Sequence, residues 1–140
     1  LRLSLRTKGA RELARQIRKV ADKADDELLQ AYRQAALLVV REAKQRTDVQ
    51  FYQAGRPWKK TGTLKRSIKE DVRREGTGVR AAVGSGLIYA RIHEYGGQAG
   101  RGHAVTIPMR EYLRPALKAK EREIFELVAG RFAKLLRKLK

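Results

Sequence analysis

The sequence predicts an α+β domain in which a small antiparallel sheet is packed by a long N-terminal helical segment and a long C-terminal helix. Three observations lead there. Apolar residues recur every three or four positions from Leu13 to Ala43 and again from Leu113 to Leu139, the spacing that gathers side chains on one face of a helix. Between them, Ile68 and Val72 on one short run and Val79, Ala81 and Val83 on another flank Gly76 and Gly78, which reads as a hairpin. The third observation is length: 140 residues close one core and rarely two, so a single domain is expected over residues 1–140.

Taken in order, Leu1, Leu3 and Leu5 alternate with Arg2, Ser4 and Arg6, so the chain opens on a short strand with one apolar face. Gly9 permits a turn. The stripe that follows, through Ile17, Val20, Leu28, Ala35 and Val39, is one amphipathic helix or two with a break near Asp22 to Asp26. It widens at Ala35 to Val40, where most sides are apolar, predicting burial on more than one side. From about 47 to 63 the periodicity stops and Gly55, Pro57 and Gly62 punctuate a polar stretch, read as a long loop. Two strands of a hairpin come next, then a short helix over 87–95 carrying Ile88, Ile92 and Tyr95. Four glycines within 96–102 predict a mobile connection, and His103 to Ile107 a last strand stopped by Pro108. The C-terminal helix begins near Glu111 to Arg114, with Pro115 in its first turn, where a missing N–H costs nothing.

Composition narrows the function. The chain carries 33 basic and 15 acidic residues for a net charge of +18, so it repels copies of itself and attracts polyanions or acidic proteins. The basic residues concentrate in 1–23, 56–80 and 110–140, whereas 24–55 is close to neutral. No apolar run approaches the roughly 18 residues that span a bilayer, no signal-peptide pattern opens the chain, and there is no cysteine; a soluble cytoplasmic chain without a membrane partner is expected.

A search for catalysis finds little to assemble. With two histidines, His93 and His103, and no cysteine, a zinc or copper site lacks ligands, and no cofactor is expected. His93 and Glu94 are neighbours on a helix and point about 100° apart. Glu70 and Asp71 are neighbours on a strand and face opposite sides. Gly62-Thr63-Leu64-Lys65 has the residues but not the spacing of a phosphate-binding loop. Binding is the better reading. Phe51, Tyr52 and Trp58 in the long loop are candidate anchors for a partner or a second copy. Tyr89, Tyr95 and Tyr112 join them, either stacking on bases or adding apolar area where sheet meets helix. Arg131, Lys134, Arg137, Lys138 and Lys140, beside the negative end of the last helix, stabilise it and are candidate phosphate contacts.

Three segments stand in a particular order: Thr61-Gly62-Thr63-Leu64-Lys65-Arg66-Ser67-Ile68, then Tyr89-Ala90-Arg91-Ile92-His93-Glu94-Tyr95-Gly96 after the hairpin, then Ile107-Pro108-Met109-Arg110-Glu111-Tyr112-Leu113-Arg114-Pro115-Ala116. In this the chain resembles the phage morphogenesis family of tail-completion and neck proteins, whose patterns are TG-x-L-x-x-S-I, Y-A-x-x-x-E-[FY]-G and I-P-A-R-P-F-L-x-P-A. It departs from the last at Met109 and Glu111. The resemblance implies a structural virion protein, not an enzyme, that forms a homo-oligomeric ring, a hexamer or a dodecamer, at the head–tail junction. Its partners would be a head-side connector or stopper, tail terminator or tail tube proteins, and, nonspecifically, packaged double-stranded DNA; its places would be the host cytoplasm during assembly and the virion afterwards. Two rivals remain open on residues alone: a small basic ribonuclease-like toxin, which needs Arg, His or Tyr clustered on the sheet, and a nonspecific DNA-binding protein with a steep salt dependence.

Overall fold

The computed structural model describes residues 10–52, 62–76 and 78–137. Helix α1 (Ala10–Tyr52) leads into a one-turn helix α2 (Thr63–Ser67), then strands β1 (Ile68–Glu75) and β2 (Gly78–Ser85), helix α3 (Ala90–Tyr95), strand β3 (Gly97–Ala99), a 3-10 turn (Arg101–His103), strand β4 (Val105–Ile107) and helix α4 (Leu113–Arg137). The α+β class is as the sequence predicts. The sheet is two separate antiparallel hairpins, β1 with β2 and β3 with β4.

One alternative is decided and three expectations change. Of one helix or two, the first helical segment is one uninterrupted helix of 43 residues. The acidic cluster that suggested a break lies in water, and two of its neighbourhood, Asp26 and Glu27, meet Arg74 of β1 at 2.6 Å and Arg131 of α4 at 3.1 Å. Secondly, α1 runs on to Tyr52 through residues read as the start of the long loop; Thr47 is buried there and its hydroxyl donates to the Lys44 carbonyl at 2.7 Å, so a polar side chain is buried at no cost in unmade hydrogen bonds where apolar spacing ends. Thirdly, the glycine-rich stretch 96–102, expected as a mobile connection, forms β3 and most of the 3-10 turn, with Gln98 paired to Thr106. Lastly, α3 begins at Ala90, after a turn at Ile88 and Tyr89. The strand expected at residues 1–7 and the loop residues 53–61 lie outside the described residues.

The inner side of α1 is built from small residues. Ala31, Ala35, Ala36, Val39, Val40 and Ala43 are buried, and their short side chains let the hairpin and α4 approach the same helix from adjacent sides, the double burial that the widened stripe implies. On β1, Ile68 is fully buried while Lys69, Asp71, Arg73 and Glu75 are exposed, the alternation of a sheet with one wet face. In the β1–β2 register Ile68 opposes Ser85, Glu70 opposes Val83 and Val72 opposes Ala81, so those six share the face turned to α1. Gly76, with φ 58°, supplies the left-handed residue that a two-residue hairpin loop needs.

Helix α4 runs antiparallel to α1: Ala116 joins Val39, Val40 and Ala43 in the core, whereas Phe132 and Leu135 meet Ala24, Leu28 and Ala31. Beyond that contact the described side chains of α1 before Val20 are all exposed.

Candidate interaction surface

The site begins at the junction of α3 and α4. The first four N–H groups of a helix have no partner within it, and no Ser, Thr, Asp or Asn precedes Leu113 to supply one. Glu94 of α3 does so from across the fold: Oε2 accepts the amides of Tyr112 at 2.8 Å and Leu113 at 3.0 Å, and Oε1 that of Arg114 at 2.9 Å. The fourth position is Pro115, which has no N–H. One carboxylate and one proline therefore complete the account, and the negative charge sits at the positive end of the helix dipole. Glu94 is buried. Glu94, the neighbour of His93 in sequence, thus serves as the cap of α4.

The chain between is fixed in the same way. The Arg110 amide donates to the His93 carbonyl at 2.8 Å. Gly96 has φ 70°, and a Cβ on it would lie 2.9 Å from the Met109 nitrogen and 3.2 Å from the Ile107 oxygen. Neither the conformation nor the space admits a side chain. His93 packs edge-on against Tyr89, ring centroids 5.9 Å apart, and burial, followed by the Arg110 charge, holds its pKa below 6.5.

With α3 and α4 so placed, an open groove of about 940 Å³ runs between α1, β2 and α4. Its floor includes Tyr32, Ala36 and Val39 of α1; its walls are residues 81–85 of β2 on one side and Leu117, Phe125 and Val128 of α4 on the other. Much of this surface faces water: Phe125 is 72% exposed, Tyr95 60% and Leu117 55%. Arg91 and Arg114 line the groove together with Glu121. Among the described residues no three His, Asp or Glu side chains gather to hold a metal ion, and no helix is long and apolar enough to cross a membrane.

The structure sorts the candidate contacts. Tyr95 lines the groove, and Tyr89 stands half-exposed beside it at the start of α3. Tyr112 is 1% exposed and leaves the interface set: its ring packs with Ile68 and Ala116 in the core, where burial and then the Glu94 charge push its pKa up to about 12. Phe51 and Tyr52 stand in the last turn of α1, with side chains outside the described residues, as is all of Trp58. On α4, Arg131 is engaged within the chain, donating to Glu27 at 3.1 Å and Gln34 at 3.0 Å. Lys134 and Arg137 are exposed; Lys138 and Lys140 lie outside the described residues. The groove itself is not legible in the sequence: Leu117 lies on the apolar stripe of α4 by spacing yet faces the groove, and Phe125 stands off that stripe.

Residues 11–96, from the first turn of α1 to the end of α3, match the model of the HK97-gp10_like family, described as "Bacteriophage HK97-gp10, putative tail-component". No curated protein and no solved structure matches the chain.

Proposed function

The chain belongs to the HK97-gp10-like family of bacteriophage tail components, and from that premise we propose that it is a structural subunit that assembles into a ring at the head–tail junction and completes it. The single observation that carries this reading is the groove. The groove sets the exposed side chains of Phe125, Tyr95 and Leu117 beside the apolar floor of α1, and an apolar patch rimmed by charge, as here by Arg91, Arg114 and Glu121, suits contact with another protein. Burying a side chain such as Phe125 contributes about 1.5–3 kcal/mol, so a few such residues repay a good part of the loss of free motion on association.

Charge sets the conditions. Each copy carries +18, so ring closure works against self-repulsion, and acidic neighbours on the head or tail side, or salt, relieve it. The lumen lies on the DNA path, where a minority of the basic residues, with Lys134 and Arg137 among them, touch phosphate weakly enough to let duplex pass.

Sedimentation of the purified chain across ionic strength tests assembly, and complementation of a particle-forming system lacking the chain tests the place. The expected results are a discrete ring whose population grows with salt, and filled heads left unjoined to tails when the chain is missing. A chain that stays monomeric at every salt concentration, or unjoined particles that never appear, overturns the reading.

A further inference from the structure

Two features of this chain fit one another, and the length of chain between them favours a meeting between copies over one within a copy. The β2 wall of the groove is made of five consecutive residues, 81–85. Alternate residues of a strand face opposite sides, so a groove lined by five in a row opens on the edge of the strand as well as on its face. Among the described residues β2 pairs with β1 alone. A strand edge beside an apolar trough suits an extended segment, which bonds through its main chain and drops alternate side chains into the trough. The sequence contains such a segment in residues 1–5, with Leu1, Leu3 and Leu5 at alternate positions and Arg2 and Ser4 between them.

Reach decides whose groove it takes. The nine residues before Ala10 span at most about 32 Å when fully extended. Tyr32, the groove residue of α1 nearest in sequence to Ala10, sits about 33 Å along the helix axis, and Val39 about 44 Å. At full stretch Leu1 barely reaches the near end of its own groove, and Leu3 and Leu5 stay outside it.

We propose that the groove receives residues 1–5 of a neighbouring copy, laid as a third strand on the edge of β2 with the three leucines over Ala81, Val83 and the α1 floor. This rests on the ring-forming reading above. The contact is heterologous, arm of one copy to groove of the next, the type that closes into a ring when the rotation per subunit allows.

The chain has no cysteine, so engineered ones report cleanly. Leu1→Cys, Leu3→Cys and Leu5→Cys chains, each mixed in turn with a differently tagged Ala81→Cys chain, sample the possible registers. With at least one of the three, mixed oxidation is expected to give a disulfide-linked pair of the two tags at tenfold or more the yield of a Lys134→Cys control. Leu3→Asp is expected to abolish the ring while leaving the far-UV circular dichroism of the subunit unchanged. A ring that forms without any cross-link above control overturns the arm exchange and leaves the ring reading standing. So does a variant given both cysteines that links within itself while the mixed single-cysteine chains stay at control yield. A chain that sediments as a monomer under all conditions overturns both.

Discussion

Glu94 acts on Tyr112 twice: its Oε2 accepts the Tyr112 amide at 2.8 Å, and its charge adds to burial in holding the Tyr112 phenol protonated up to about pH 12. The same carboxylate that starts α4 thus also keeps the largest buried side chain of the core neutral.

Replacing Glu94 by alanine leaves three amides at the start of α4 without their acceptor, and loss of a helix cap or of a buried charged hydrogen bond costs about 1–3 kcal/mol. Glu94→Gln keeps one acceptor oxygen and should fall between. Urea unfolding followed by circular dichroism measures both. An alanine variant as stable as the parent would sink the capping account.

Gly96→Ala places a Cβ 2.9 Å from the Met109 nitrogen at φ 70°, and a backbone held in that region by a non-glycine residue costs about 1–3 kcal/mol. Gly130→Ala is the control: a Cβ there meets nothing within 4 Å, and alanine in a helix interior is favoured over glycine by about 1 kcal/mol. Thermal melting should move down for the first variant and up for the second.

Stability should decline at both ends of the pH range for identifiable reasons. Tyr112 holds its proton to about 12 in the fold against 10 in the unfolded chain, so the unfolded state loses the proton first and stability falls as pH rises from 10 towards 12. His93 has its pKa lowered from 6.5 by burial and by Arg110, so the unfolded state gains a proton first and stability falls as pH drops below 6.5. Comparing urea midpoints of the parent with Tyr112→Phe at alkaline pH, and following the His93 ring by NMR, checks each limb. A Tyr112→Phe variant with the same alkaline slope as the parent would show that the phenol does not contribute.

The cationic residues of α4 should separate by role. Arg131 bridges to Glu27 and Gln34 on α1, a partly exposed pair worth about 0.2–1 kcal/mol, so Arg131→Ala should lower stability slightly. Lys134→Glu and Arg137→Glu should instead leave stability unchanged and reduce both duplex affinity and its salt slope. Fluorescence anisotropy with a labelled duplex, run beside thermal melts, distinguishes them; equal loss of affinity from Arg131→Ala would place its guanidinium on phosphate after all.

The architecture was legible where a pattern is local. Spacings of three and four along α1 and α4, and the glycine between two β-rich runs, located two helices and a hairpin, and Pro115 fixed the start of α4 to within two residues. What the sequence left out is what depends on distant partners. Helix α1 continues through Thr47, which is buried with its hydroxyl satisfied by the Lys44 carbonyl, and no apolar stripe announces that. Glu94 lies eighteen residues before the first amide that it caps; only a start of α4 lacking its own capping residue hinted at an external one. For Tyr112 the sequence leaves two readings, a partner contact or apolar area at the junction of sheet and helix, and packing against Ile68 and Ala116 decides for the second. The groove arises from side chains of α1, β2, α3 and α4 together, so no single stretch could reveal it.

Ahead of its contact with Phe132 and Leu135, α1 acts as a rod. A helix advances about 1.5 Å and turns about 100° with each residue, so Ala10 stands at the end of a scale graduated in fixed steps. Lengthening the rod by one or two residues changes its reach little but swings its tip to a different bearing. Additions of about seven or eleven residues, two or three whole turns, nearly restore the bearing. The rod is therefore a gauge that tolerates change only at certain divisions of its scale.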